Sequence, residues 1–318
     1  GARLGLVAGG VAAVYPNLWM NDGLLMSETL AALTSVAALL LAYRLLRRPT
    51  IAVAASLGGV CALAALTREE LALLVPLLAL PAAWVATRHR GPRPQLIAAL
   101  VGAAVLLAAP WVVFNLTRFD DPTFVSTGDG IALLGSNCAV SYNQPGLGFW
   151  NFRCLPTVAP PGDESVLSVK YRGRAITYAR SHAGRLPVVV LARLGRLLGV
   201  YTPGELAHIN AGEGRPEWAT LAGIASFLFL LPLAVGGGVW VRRRGGRVWP
   251  LLAPVWLVLL SAAAVYGTPR FRVPTEPTVV VLACVGAMAV LARRWPALEP
   301  VVAGAPDPAS DPGAPSRR

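Results

Sequence analysis

Charge is missing from the middle of eight separate stretches of this sequence, at roughly 4–20, 28–46, 50–66, 70–87, 95–114, 218–241, 248–266 and 275–293. An α-helix rises 1.5 Å per residue, so about 20 apolar residues cover the ~30 Å hydrocarbon layer of a bilayer. The repetition predicts an all-α polytopic membrane protein with about eight transmembrane helices. The stretches at 50–66 and 70–87 are short, and a hairpin that only partly penetrates the membrane is the alternative for them. Composition agrees, with 55% hydrophobic and 14% charged residues and a mean hydropathy of +0.58. Soluble domains carry about a quarter charged residues. An ordinary soluble enzyme, a disordered chain and a collagen-like chain are therefore excluded.

The net charge of +12 invites a nucleic-acid reading, which fails on the placement of the arginines. The short connections at 44–48, 88–93 and 242–247 hold ten Arg and no acid. The short connections on the other side hold Arg68, Arg270 and Arg272 with five acids, Asp22, Glu28, Glu69, Glu70 and Glu276. The positive-inside rule puts the first set in the cytoplasm, and the parity of eight spans is consistent with that. The excess charge is thus explained by topology. All basic residues but Lys170 are Arg, which hints at a G+C-rich bacterial genome. The chain opens on Gly1 with no charged segment before an apolar core, so no signal peptide is read, and the sequence is expected to begin within a longer protein.

This reading divides the chain into transmembrane helices over 1–114, an extracytoplasmic loop over 115–217, further transmembrane helices over 218–295, and a disordered cytoplasmic tail over 296–318. Loops as long as 115–217 are usually functional. It begins with Gly-, Asn- and Asp-rich turns and becomes helical near 164–182. The piece 185–200 places Arg193 and Arg196 on one helical face with Leu and Val on the other. A helix lying in the membrane interface fits it, as does a helix packed on the loop's own core. Cys138 and Cys154 both fall in this loop, where an oxidising environment permits a bridge; whether they pair stays open. Cys61 and Cys284 sit within spans as small apolar residues, and His89, His182 and His208 are isolated.

Polar residues able to do chemistry gather at the outer ends of the spans. The first outer turn carries Asp22 and Glu28, and the tight turn at 67–70 carries Arg68, Glu69 and Glu70. The start of the long loop carries Asn115, Arg118, Asp120, Asp121 and Asp129, and the last outer turn carries Arg270, Arg272 and Glu276. Each group also has a plainer reading, as helix caps or favourable charges at a helix N-terminus. In an extended segment Arg270 and Arg272 point the same way around Phe271, which suits either a bidentately held phosphate or lipid headgroups.

The strings Tyr15-Pro16, Asn21-Asp22-Gly23, Ser27-Glu28-Thr29, Leu66-Thr67-Arg68-Glu69-Glu70, Pro110-Trp111 with Asn115, Asp120, Ser126-Thr127 and Asp129-Gly130, and Arg270-Phe271-Arg272-Val273-Pro274 with Glu276-Pro277 follow one another in this order. Together they resemble actinobacterial members of glycosyltransferase family 39, in the C-type membrane glycosyltransferase superfamily with protein O-mannosyltransferases and aminoarabinose transferases. The resemblance runs from residue 4 to about 295 and rests on order and spacing. It implies transfer of a sugar from a polyprenyl-phosphate carrier to an acceptor hydroxyl on the outer face of a bacterial cytoplasmic membrane. Family members carry their catalytic base in an earlier outer loop that this sequence lacks, so Asp22 and Glu28 match the next one. The chain is on this view an N-terminally truncated member, and the fragment alone is expected to be inactive if the base lies in the missing part.

On that resemblance Asp22 and Glu28 line the reaction centre as catalytic residues, and Arg68, Arg270 and Arg272 hold the donor phosphate. Asn115, Asp120 and Asp129 belong to the loop that shapes the acceptor site. The partners implied are the lipid-linked donor, membrane lipid, and a protein, glycan or glycolipid acceptor, with no nucleic acid. No cofactor is required; Mg²⁺ or Mn²⁺ held by outer-face carboxylates would leave no sequence signature, so the metal question stays open. The alternatives are a polytopic transporter, for which mid-span charges and inverted repeats are missing, and a non-catalytic cell-envelope partner subunit.

Overall fold

The structure, a computed structural model, describes residues 2–86 and 93–294. Among them every regular element is helical. The chain begins with α1 (Ala2–Val14) and the short α2 (Pro16–Trp19), then α3 (Glu28–Arg47) and α4 (Ile51–Thr67). A 3-10 turn (Glu69–Leu73), a π-helical turn (Val75–Ala79) and α5 (Leu80–Ala86) follow, and then α6 (Arg93–Arg118). Next come α7 (Gly128–Ser136), α8 (Glu164–Ser181), α9 (Leu186–Leu198) and α10 (Pro203–Gly212). The last helices are α11 (Glu217–Arg243), α12 (Trp249–Ala264) and α13 (Glu276–Arg294). Most of the connection at 88–93 and the tail at 296–318 lie outside the described residues.

Every apolar stretch of the sequence falls on helix. Four segments are long and apolar enough to cross a membrane: Glu28–Arg47, Glu69–Ala86, Pro94–Arg118 and Glu217–Arg243. Ala2–Val14, Ile51–Thr67, Trp249–Ala264 and Glu276–Ala292 are apolar but shorter. Two stretches depart from a single α-helix. The one expected over 4–20 breaks at Tyr15, which is extended (φ −79°, ψ 116°) because Pro16 follows it and disfavours helical geometry at the preceding residue. The one from Glu69 changes helix type along its length, since Pro76 and Pro81 each lack the N–H that a continuous α-helical ladder needs.

One core joins α3, α4, the turns after it, α5, α6 and α12 through Leu45, Leu57, Leu71, Leu78, Ala82, Leu100 and Leu257. There α4 and α6 touch backbone to backbone, because Gly58 leaves no room for a Cβ against the Leu100 carbonyl. A second core joins α11 and α13 through Phe227, Ala234, Val279 and Ala283. Outward faces are also apolar: Leu33, Leu40, Val105, Leu106, Phe229 and Trp256 are all exposed. Contiguous apolar surface of this kind is costly in water and suits a hydrocarbon solvent.

The helix α9 buries its two arginines together with Val189, Ala192 and Leu197. Its charged face is buried, with Arg193 2% and Arg196 0% exposed, while Val188 and Leu191 face outward. Arg193 donates to the carbonyls of Ala263 (2.8 Å) and Ser136 (2.7 Å). Arg196 donates to the Leu147 carbonyl (2.8 Å) and pairs with Glu205 (2.9 Å). Burial pulls the Arg193 guanidinium down to about 10, which leaves it charged at neutral pH. The helix therefore ties the segment around Cys138 to the end of α12.

Candidate functional site

The ends of α3, α4, α10 and α12 meet at one end of the molecule, and their charged residues meet with them. Glu28, the first residue of α3, is 2% exposed. Arg68, just after α4, reaches its Oε1 at 3.2 Å. Arg270, in the 3-10 turn Pro269–Arg272, stands 3.6 Å away, and Arg215, between α10 and α11, stands 3.8 Å away. One buried carboxylate is thus ringed by three guanidinium groups. Two further acids complete the balance. Glu70 pairs with Arg68 at 2.6 Å, and Glu213 pairs with Arg215 at 2.5 Å and Arg270 at 2.7 Å. Asn21 fixes Arg215 from below by accepting from its Nε at 3.0 Å.

Three cavities open around this cluster. The largest, about 800 Å³, is lined by Arg68, Glu69, Glu70, Asp129, Tyr266, Arg270 and Phe271, among others. A second, about 610 Å³, shares Arg68, Glu69 and Glu70 and adds Trp111, Asn115, Arg118 and Glu164. A third, about 540 Å³, lies beyond the wall formed by Tyr266 and Arg270 and carries Phe149, Trp150, Phe152, Glu205 and Glu213. Arg68 and Arg270 both lie over the Phe271 ring, 5.1 and 5.6 Å from its centre. The buried Nε of Arg270 has no hydrogen-bond partner. Glu69 faces both larger cavities, and no side-chain hydrogen bond or ion pair engages it among the described residues.

The sequence-derived residues fall into three groups. Glu28, Arg68 and Arg270 come together as one cluster. Glu28 is enclosed as the shared counter-ion of three arginines. Asp22 stands apart, accepting a hydrogen bond from Thr29 at 2.9 Å, the geometry of a local turn contact.

Arg272 lies apart from that cluster. Residues 269–272 form a 3-10 turn, so Arg270 and Arg272 diverge where an extended segment would align them. Arg272 is 1% exposed and pairs with Glu276 at 2.9 Å. It donates to the Leu197 carbonyl at 2.9 Å and its guanidinium lies 3.7 Å from the Phe227 ring centre. Glu276 in turn accepts from Tyr15 (2.7 Å) and Asn17 (3.1 Å). This assembly locks the α1–α2 segment, α9, α11 and α13 together and leaves no surface for a phosphate.

Asn115, Asp120 and Asp129 have separate structural tasks. Buried Asn115 donates to the carbonyls of Phe124 and Val125, both at 3.3 Å, and so shapes the wall of the 610 Å³ cavity. Asp120 is held through its backbone N–H, which donates to Asp163 at 3.0 Å, with its side chain at the surface. Asp129 accepts from Ser168 (2.6 Å), pairs with Arg172 (3.1 Å) and lines the largest cavity. Cys138 and Cys154 are joined as a disulfide.

Sequence reading passed over Arg215, Glu213 and Tyr266. Arg215 is one of the largest fully buried side chains, and its only signal was a lone Arg between Gly214 and Pro216, next to an apolar helix. Among the described residues, no group of three or more His, Cys, Asp or Glu stands close enough to hold a metal ion. No family model matches the chain, and no curated protein or solved structure matches it either.

Proposed function

We propose that the protein is a multi-pass glycosyltransferase of a bacterial cytoplasmic membrane that moves a sugar from a polyprenyl-phosphate donor to an acceptor hydroxyl on the outer face. In this reading the eight apolar helical segments all enter the bilayer, the Arg-rich connections face the cytoplasm, and residues 115–217 form the outer part. The observation that carries the reading is the placement of Arg68 and Arg270 on a cavity of about 800 Å³ at the ends of apolar helices. A donor whose tail stays in lipid brings its phosphate to that depth. Guanidinium groups hold phosphate through paired, charge-assisted hydrogen bonds.

The chemistry follows from the same groups. The acceptor oxygen attacks the anomeric carbon as its proton passes to a carboxylate, and the carrier phosphate leaves with the bonding electron pair. Arg68 and Arg270 stabilise the charge that grows on that phosphate. Glu69, open to both larger cavities and unpaired, is the carboxylate of this chain placed to take the proton.

The test is transfer from radiolabelled polyprenyl-phosphate mannose or arabinose, in membranes expressing the full-length gene product, at matched protein levels. Arg270→Ala is expected to lower transfer roughly hundredfold. Unchanged transfer would remove Arg270 from the donor site. If no labelled product formed from either donor, the reading of the protein as this kind of transferase would fall.

A further inference from the structure

The cavity of about 540 Å³ differs in chemistry from the two that Glu69 faces. Part of its wall is aromatic. Phe149, Trp150 and Phe152 come from the segment between α7 and α8, and Tyr266 comes from just after α12. Trp150 and Phe152 stand edge to face, 4.4 Å apart at 81°, and Phe149 and Tyr266 do the same at 5.7 Å and 78°. In each pair the ring that gives its edge keeps both faces clear of its partner. The segment is fixed by its own contacts. Trp150 Nε1 donates to the Ile131 carbonyl (3.0 Å), the Asn151 N–H donates to the Gly135 carbonyl (2.9 Å), and the Cys138–Cys154 disulfide closes the segment. Gly135 leaves no room for a Cβ beside the Trp150 indole. Rings held in this way lose little freedom when a ligand binds.

The part contributed by α10 and the residue after it is polar. Glu205 and Glu213 line the cavity and are partly exposed. Arg196 holds Glu205 at 2.9 Å, while Arg215 and Arg270 hold Glu213 at 2.5 and 2.7 Å. Their charges are thus met, and their remaining lone pairs still accept hydrogen bonds. Asn210 also lines the cavity. It is 4% exposed, and among the described residues no hydrogen bond engages its side-chain amide. An amide can donate and accept, and a buried one without a partner is costly. Asn210 therefore calls for a ligand that carries hydrogen-bonding groups of its own.

We propose that this cavity binds a carbohydrate, with the C–H faces of sugar rings against the aromatic side chains and hydroxyls on Glu205, Glu213 and Asn210. A sugar ring combines both chemistries in one small body. Its C–H groups are attracted to the negative faces of aromatic rings, and its hydroxyls both donate and accept. A purely apolar ligand would leave the polar groups dry and unpaired. An anion would approach two carboxylates, with Arg270 as the lining cation. The volume falls within the ~300–1,000 Å³ of small-molecule sites. Tyr266 and Arg270 line both this cavity and the one of about 800 Å³, so a sugar held here reaches the proposed donor side as the acceptor. That role rests on the transferase reading, whereas the binding does not.

The experiment places the full-length protein in nanodiscs, free of glycoside detergent and of any sugar donor. It is presented to an array of neutral, uronic-acid-bearing and phosphorylated oligosaccharides, with serine- and threonine-rich peptides as the other arm. The Kd of the best oligosaccharide is then measured by calorimetry. Native protein should bind oligosaccharide in preference to peptide. Phe152→Ala removes an exposed ring and should weaken that binding roughly five- to tenfold. Asn210→Ala should weaken it roughly fivefold. Circular dichroism and the melting temperature confirm that both variants fold. Failure of every oligosaccharide to bind would overturn the proposal, as would preference for peptide. Binding unchanged by Phe152→Ala or by Asn210→Ala would also overturn it. If oligosaccharide binds and no sugar is transferred from any donor, the transferase reading falls and the carbohydrate site stands. If transfer proceeds and no oligosaccharide binds, the carbohydrate site falls and that reading stands.

Discussion

Replacing Glu28 by Gln removes the one negative charge on which three guanidinium groups converge. Its carboxylate lies 3.2, 3.6 and 3.8 Å from Arg68, Arg270 and Arg215, and its side chain is 3% exposed. At an effective dielectric of about 20, a unit-charge pair at such separations attracts by roughly 4–5 kcal/mol before any cost is counted. Desolvating both partners takes back most of that gain. What a truncation exposes is the opposite term, a set of buried cations left with too little negative charge. Breaking a buried pair from one side typically costs about 3–5 kcal/mol. The remaining acids, Glu70 and Glu213, then face three arginines.

For a chain of this size that cost corresponds to a fall in melting temperature of about 4–8 °C. The assay is thermal unfolding of purified protein in a fixed detergent, read by intrinsic tryptophan fluorescence. A double variant sharpens it. Arg68→Gln removes one of the stranded cations, so Glu28→Gln with Arg68→Gln should be less damaging than the two single changes added together, by at least about 1 kcal/mol. Additive effects, or a Glu28→Gln protein that melts with the native one, would falsify the view that Glu28 is the shared counter-ion of the cluster.

Three further outcomes follow from other parts of the molecule. Gly58→Ala puts a Cβ against the Leu100 carbonyl and should force α4 from α6, at a cost of about 1–3 kcal/mol seen as a lower melting temperature. The Cys138–Cys154 bridge closes a short loop, so reduction should destabilise the protein by about 3 kcal/mol, and alkylation of denatured, unreduced chain should label only Cys61 and Cys284. Asp163 caps α8 by accepting from Ser165 and Val166, and hydrogen bonds from the Ser165 hydroxyl and the Asp120 and Val166 N–H groups hold its carboxyl down to about 2. Because that value is depressed, the cap's contribution is full above the ordinary Asp range and is lost as pH falls through about 2. Hydrogen exchange at the Ser165 and Val166 amides should accelerate in that window, and in Asp163→Ala at every pH.

Helix positions were legible because long apolar runs have few other ways to satisfy their backbone in lipid. Ser27-Glu28 at the head of α3 and the Arg-rich ends of α3 and α11 were readable for the same reason. The breaks were legible only in part. Pro16, Pro76 and Pro81 are plain in the sequence, yet apolar neighbours on both sides disguise how far each one reshapes its helix. The cluster around Glu28 was half readable. Glu28, Arg68 and Arg270 announce themselves at the ends of apolar runs, whereas Arg215 reaches Glu28 across 187 positions of sequence and only the fold reveals it.

The arginines of the Pro269–Arg272 turn show why spacing alone falls short. Two residues apart means the same side in a strand and sides about 120° apart in a 3-10 turn. Pro269 and the hydrogen bond from the Phe271 N–H to the Thr268 carbonyl settle the turn, and with it the separate fates of Arg270 and Arg272. The same limit governs α9. Its pattern of Arg193 and Arg196 against Val188 and Leu191 states that two faces differ, and says nothing about which one meets protein. In water the apolar face would turn inward. Here the arginines turn inward, where the Ser136, Leu147 and Ala263 carbonyls accept from them and Glu205 offers a charge. Periodicity therefore locates a helix and its faces, while the surrounding solvent and the unmet hydrogen bonds of neighbouring segments decide which face is buried.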